Sequence, residues 1–384
     1  MNTRFVGYIF IFVMNLILLE VGAYSSGEYY IRRKAAFLLC CYGDDKVLEQ
    51  FDSYMTRRNE VLGWPPKDWK GHGYYDTSGS RVIPAFPTPG TACVSLYGDS
   101  FTFSAEVDDE HAWSNQLAKR LGCRVANYGV EAYGTDQALL YFQHNLDDEA
   151  PVVVLGIWAE DMVRILNQYR ALVGGTSQGQ IGLKPRFILD ERGELELVPL
   201  PTLTKTQFAT LLKTPATYLK RETFLPDTIS GPVTWNFPYT WAVAKMLTHE
   251  RVRAWLSGEP SWSPYYRPDH PSKGLALMTK IVEAFRQTAK ARAKESLIII
   301  FPTHSAVEEF RKTGSWAYQP LLDAAKGKGI RVHNLGPDIL GYLGSRRFCD
   351  ILRYSAACTG HFNEEGYGVV ADLVYHYIKT HKLL

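Results

Sequence analysis

The sequence predicts an α/β protein built on a parallel sheet that is covered on both faces. Three observations carry this. Apolar runs at residues 92–97, 123–127 and 151–156 are continuous rather than alternating, as strands buried on both faces are. Segments of helical spacing separate them. Trp113, Leu117 and Leu121 fall on one helical face before Gly122 stops the run, and Thr135 is placed to cap a second helix through Leu139, Leu140 and Phe142. The same alternation then resumes near the C-terminus, which marks one sheet rather than two unrelated halves.

The later elements follow in order. Residues 186–189 and 195–198 read as a hairpin around Asp190-Glu191-Arg192-Gly193. They open a stretch, 170–275, that is rich in Pro and Trp without clear period, an insertion beside the sheet. A helix over 275–293 precedes a strand at 297–301, and Ser305 with Glu308 resembles a capping box that opens another helix. Residues 329–333 read as a fifth strand. A final helix starts at Glu364, with Val370, Leu373, Val374, Tyr377 and Ile378 on one face. Residues 26–90 form an irregular lead-in, as in Leu62-Gly63-Trp64-Pro65-Pro66, so the α/β domain is expected over 91–384.

Composition narrows the partners. The apolar and charged fractions, 46% and 21%, are those of an ordinary globular chain of 384 residues. A formal net charge of +2, with no basic stripe interleaved with aromatics, argues against nucleic acid. The 23 Tyr and 9 Trp suit a carbohydrate surface and an ordinary core alike. Residues 5–19 are apolar apart from Gly7, Tyr8 and Asn15, with Arg4 before them and Glu20 after. Residues 1–25 therefore read as an uncleaved signal anchor or as a signal peptide ending at Val21-Gly22-Ala23. Either places the body of the chain in the periplasm or at the cell exterior, membrane-bound in the first case and secreted in the second. None of the six cysteines (Cys40, Cys41, Cys93, Cys123, Cys349, Cys358) forms a pair with metal-site spacing, and no metal is expected. Export permits disulfides, and Cys349 with Cys358 is one pairing left open. Cys93 and Cys123, set in apolar runs, read as small buried hydrophobes.

Ligands of open parallel sheets bind beyond the carboxyl ends of the strands. The turns expected there are Gly98-Asp99-Ser100-Phe101-Thr102, Asn127-Tyr128-Gly129-Val130, Trp158-Ala159-Glu160-Asp161 and Pro302-Thr303-His304, and His361 lies in the last loop. Serine acyl transfer needs a hydroxyl, an imidazole to take its proton, and donors for the oxyanion. Ser100 is the candidate nucleophile and His361 the candidate base. Asp99 would close the turn by accepting from backbone N–H groups. His304 reads as a pocket or surface histidine.

These blocks resemble the SGNH (GDSL) hydrolase family. The resemblance rests on Gly98-Asp99-Ser100, on Asn127-Tyr128-Gly129 with Tyr133-Gly134-Thr135-Asp136-Gln137, and on His361 followed by Glu365-Gly366-Tyr367. It covers residues 92–161 and 296–384. Val61-Leu62-Gly63-Trp64 and the N-terminal segment are similar to membrane-tethered bacterial members that act on surface polysaccharides. The resemblance implies a three-layer flavodoxin-like sandwich with a parallel sheet. It also implies hydrolysis or transfer of an ester-linked acyl group, often acetyl, on an acylated carbohydrate, without metal or cofactor. The backbone N–H groups of Ser100 and Gly129 would line the oxyanion hole. Two positions depart from the family pattern. Where it has an asparagine donor facing the pocket, this chain has Glu160 and Asp161, and an ionised carboxylate cannot donate. Where it has an aspartate two or three residues before the base, this chain has Thr359 and Cys358, leaving Asp338 or Asp350 to substitute in space. These departures motivate a second reading, a catalytically impaired glycan-binding or polysaccharide-assembly protein on the same fold.

Overall fold

The computed structural model describes residues 3–34, 45–173 and 181–384, so Cys40 and Cys41 lie outside the described residues. The chain opens with one long helix, α1 (Thr3–Lys34). Its segment Phe5–Tyr29 is long and apolar enough to cross a membrane, and its most apolar stretch is not buried against protein. The helix continues beyond residue 25, where the sequence suggested that the apolar segment ends.

Past the lead-in, the alternation is as the apolar runs require. Strand β1 (Val94–Gly98) leads into a single turn, α2 (Ser100–Phe103), and then α3 (Trp113–Leu121). Strand β2 (Val125–Gly129) is followed by α4 (Thr135–His144), and β3 (Val152–Trp158) by α5 (Asp161–Ile165). The insertion carries the hairpin β4 (Arg186–Leu189) and β5 (Leu195–Val198) and the helices α6 (Tyr239–Thr248) and α7 (Glu250–Leu256). Then come α8 (Gly274–Ala291), β6 (Glu295–Phe301), α9 (His304–Thr313), β7 (Val332–Asn334) and α10 (Leu335–Leu343). A small hairpin, β8 (Leu352–Tyr354) with β9 (Thr359–Phe362), and the helix α11 (Glu364–Thr380) close the chain.

The main sheet runs β2-β1-β3-β6-β7 and is parallel throughout. Counting its strands along the chain gives the order 2-1-3-4-5, the flavodoxin-like doubly wound arrangement. Helix α3 packs with α11, and α4 with α8, so helices cover the sheet on both sides. Val94, Leu96 and Val152 to Leu155 are fully buried, each worth ~1.5–3 kcal/mol on transfer from water.

Three local expectations change. Cys93 and Cys123 are joined in a disulfide rather than packed as thiols. They stand just ahead of β1 and β2, whose parallel register (Val94 beside Val125) brings the two strand entrances together. The cap of α9 is Thr303, whose Oγ1 accepts from the Ala306 N–H at 3.0 Å, not Ser305. Gly134, not Thr135, is the N-cap of α4.

The lead-in contributes one residue of consequence. Arg81 is 1% exposed. Its guanidinium donates to the carbonyls of Phe103, Ser104 and Val107 at 2.6, 2.7 and 2.8 Å and pairs with Asp109 at 2.7 Å. It staples the whole 103–109 loop. Arg81→Met would leave these acceptors unmet, and a loss of ~3 kcal/mol is expected, read as a lower urea midpoint.

Candidate active site

Ser100 is the first residue of α2, directly after β1. Asp99 caps the turn from an extended backbone, with Oδ1 accepting from Phe101 N–H at 2.9 Å and Thr102 N–H at 3.4 Å. Ser104 adopts the left-handed conformation, φ 70°, and ends the helix after one turn. Gly129 at the end of β2 lies against this turn: a Cβ there would come within 2.4 Å of the Phe103 nitrogen. The serine is thereby pressed onto the carboxyl edge of the sheet.

His361 reaches it from β9. Its Nε2 is 2.8 Å from Ser100 Oγ. The hairpin that carries it is closed by a Cys349–Cys358 disulfide. On the far side of the ring, Glu106 Oε2 lies 3.3 Å from Nδ1 and accepts the His361 backbone N–H at 2.9 Å. The Nδ1 approach has ion-pair distance without the alignment of a full hydrogen bond, the loose geometry common in sites without substrate. Glu106 itself has φ 69°, an uncommon conformation for a non-glycine residue. Gly360 permits the approach. It has φ +88°, and a Cβ would sit 2.8 Å from Tyr354 Cδ2 and 2.9 Å from Glu106 Oε2. Gly360→Ala is expected to push hairpin and carboxylate apart, costing about 1–3 kcal/mol of stability, read as a lower thermal midpoint.

The carboxylate beside His361 is therefore Glu106, which the sequence reading missed. Asp338 pairs with His333 at 2.7 Å and Asp350 with Arg347 at 2.7 Å. Cys358 is in its disulfide, and Thr359 lines the cleft without an anion to offer.

The loop after β3 also differs from expectation. It turns Trp158 and Arg164 into the cleft, not Glu160. The Glu160 carboxylate points toward Arg251 in the insertion, 3.9 Å away. Asp161 is buried, accepting from Trp158 N–H at 3.3 Å and pairing with Arg164 at 3.0 Å. Arg164 also reaches Asp99 at 3.2 Å, so one guanidinium serves two buried carboxylates. Burial raises the Asp99 carboxyl above its ordinary range, against the pull of Arg164 and His361. Burial and then the Asp99 charge push Asp161 well above its range. The expected repulsion between Glu160 and a developing oxyanion therefore has no geometric basis.

The cleft at this edge has a volume of about 460 Å³. Aromatic rings form one wall: Phe101 lies 4.9 Å from the His361 ring and stacks on Trp158 at 5.3 Å, and the Arg164 guanidinium sits 5.0 Å from the Trp158 ring. His304, 3.8 Å from Glu308, lines the same cleft. The Gly129 N–H is turned to Asn127 Oδ1 at 2.9 Å. Asn127 also donates to Thr102 O at 2.8 Å, which ties β2 to α2. No partner for the Ser100 N–H is found among the described residues.

No protein family profile matches the chain, and no curated protein is similar to it in sequence. Solved structures do match. A member of the lipolytic protein G-D-S-L family from Veillonella parvula aligns at 10% identity over 73% of this chain and 93% of its own, with TM-score 0.35. An alpha/beta hydrolase enzyme from the metagenome of Lake Arreo, Spain, aligns at 12% identity over 75% and 96%, with TM-score 0.37. A protein from Chitinophaga pinensis described as a possible lipase aligns at 10% identity over 76% and 99%, with TM-score 0.36.

Proposed function

We propose that this chain is an SGNH-type serine esterase or O-acyltransferase that acts outside the cytoplasm on an ester-linked acyl group, acetyl in the simplest case, of a surface glycan. The Ser100–His361–Glu106 line carries this reading, with Ser100 Oγ 2.8 Å from His361 Nε2 and Glu106 behind the ring. His361 takes the Ser100 proton as Oγ attacks the ester carbonyl, and Glu106 stabilises the imidazolium that forms. The Ser100 N–H, with the Gly129 N–H once it leaves Asn127, receives the oxyanion. His361 then protonates the departing sugar hydroxyl, leaving an acyl-serine. Water completes a hydrolysis; a second sugar hydroxyl completes a transfer. The open cleft and its wall of Phe101 and Trp158 support a sugar ring as the acyl carrier.

A serine-directed phosphonate tests the proposal. Mass spectrometry is expected to find it on Ser100 alone. Labelling elsewhere overturns the assignment, and a folded protein that takes no label favours the glycan-binding reading.

The anchor reading of α1 gives an N-in, C-out arrangement, and the two disulfides of the body support export. A reporter enzyme that works only outside the cytoplasm, fused after Leu384, is expected to be active. Activity of a cytoplasm-only reporter at that position refutes the placement.

A further inference from the structure

The insertion helices α6 and α7 present an apolar face to solvent. Ile229, Phe237, Trp241, Leu247, Trp255 and Leu256 are between 56% and 70% exposed. On α6 the outward residues Trp241, Ala244 and Leu247 recur every third position, while Ala242 and Met246 face inward against Val233. This face adjoins α1. Glu20, directly after the apolar run, accepts hydrogen bonds from Tyr239 N–H at 2.6 Å and from the Thr240 N–H and hydroxyl, the start of α6. Seven residues on, Gly27 receives the Trp235 indole, whose ring carbon would lie 1.9 Å from any Cβ there. Trp235 Nε1 donates to Glu28 at 3.2 Å, and Tyr24 meets Tyr239 at 4.9 Å between ring centres.

These contacts fix a depth. At 1.5 Å per residue, Glu20 lies roughly 22 Å along α1 from Phe5, inside a hydrocarbon layer ~30 Å thick that begins near Phe5. A carboxylate at that depth needs a partner, and the N-terminus of α6 supplies donors and the positive end of a helix dipole. The start of α6 must then lie at the same level. We propose that α6 and α7 rest in the outer leaflet of the bilayer that α1 spans, with Phe237, Trp241, Leu247, Trp255 and Leu256 among the headgroups and upper acyl chains. The chemistry of the face suits that layer, where tryptophan is enriched and apolar helix faces are buried by ~5–10 Å. The occupant is lipid because the face is continuous with the bare surface of the anchor at the same depth. The inference rests on the anchor reading of α1. It adds a second attachment, which fixes the tilt and height of the catalytic domain above the membrane.

The test uses the full chain with Cys40→Ser and Cys41→Ser, leaving only the four disulfide-bonded cysteines. One cysteine at a time replaces Phe12, Trp241, Leu256 or Leu146 and is labelled with the fluorophore NBD. The proteins are reconstituted in phosphatidylethanolamine–phosphatidylglycerol vesicles with and without brominated acyl chains, which quench only fluorophores within the bilayer. Phe12 lies in mid-anchor, and Leu146, 76% exposed, lies past the end of α4, just ahead of β3. Loss of most emission at 12, 241 and 256, with none at 146, is expected. Quenching at 12 but not at 241 and 256 overturns the proposal while the anchor stands. No quenching at 12 overturns the anchor reading and the proposal with it.

Discussion

The Ser100→Ala variant is expected to hydrolyse small acetyl esters at least about 10⁴-fold more slowly than wild type. No other hydroxyl takes its place: within hydrogen-bond reach of His361 Nε2, the described residues offer Ser100 Oγ alone. Among the described residues the removed oxygen makes no other side-chain hydrogen bond, so the turn after β1, held by the Asp99 caps, is expected to survive and the thermal midpoint to stay unchanged. The residual rate should come from the oxyanion donors and from substrate binding. Comparing kcat/KM for the two proteins, with melting curves as the control on folding, decides the matter. A loss under tenfold would move the chemistry to another residue.

Glu106→Gln is expected to lower kcat by about 10²–10³-fold with little change in KM. Glutamine keeps an oxygen to accept the His361 backbone N–H, so the hairpin remains docked. It cannot supply the negative charge that stabilises the imidazolium, and its amide group can impose the wrong ring tautomer. Loss of the aspartate in a buried serine-protease triad costs ~10⁴. The smaller figure follows from exposure: the side chains of His361 and Glu106 are 24% and 30% accessible, so water screens part of the interaction. Glu106→Asp keeps the charge but withdraws it by one methylene, and intermediate activity is expected. A Gln variant with wild-type kcat would mean that the ring is oriented by something other than this carboxylate.

The frame of the fold was legible because its strands are buried on both faces and therefore read as unbroken apolar runs. The hairpin Arg186–Leu189 with Leu195–Val198 was legible from its turn, and its paired residues fall where the pattern put them. The hairpin that carries His361 was not. Its strands Leu352–Tyr354 and Thr359–Phe362 are three and four residues long and mostly polar, too short for any periodicity to register. Ser100 and His361 could be named because local motifs surround them. Glu106 could not, because its role depends on left-handed backbone at Ser104 and Glu106 and on a partner 255 residues away. Glu160 was misplaced for a related reason. Where the loop after β3 turns decides which residue faces the cleft, and that depends on α5 starting at Asp161 and on Arg251 in the insertion. The Cys93–Cys123 link follows from strand adjacency, which no local pattern contains.

Ser100 and Glu106, the proposed nucleophile and acid, come from a single stretch, clasped by Arg81 across residues 103–107. Only His361 arrives from afar, 261 residues along the chain from Ser100. Assembling the Ser100–His361–Glu106 line is therefore a two-body problem. One body is a preformed cassette that is complete once β1 and β2 have paired; the other is a cross-linked hairpin that docks upon it. The entropy of gathering three groups is replaced by that of a single docking event. Small displacements of that hairpin move His361 away from both partners together, so the site switches as a unit instead of losing its members one by one.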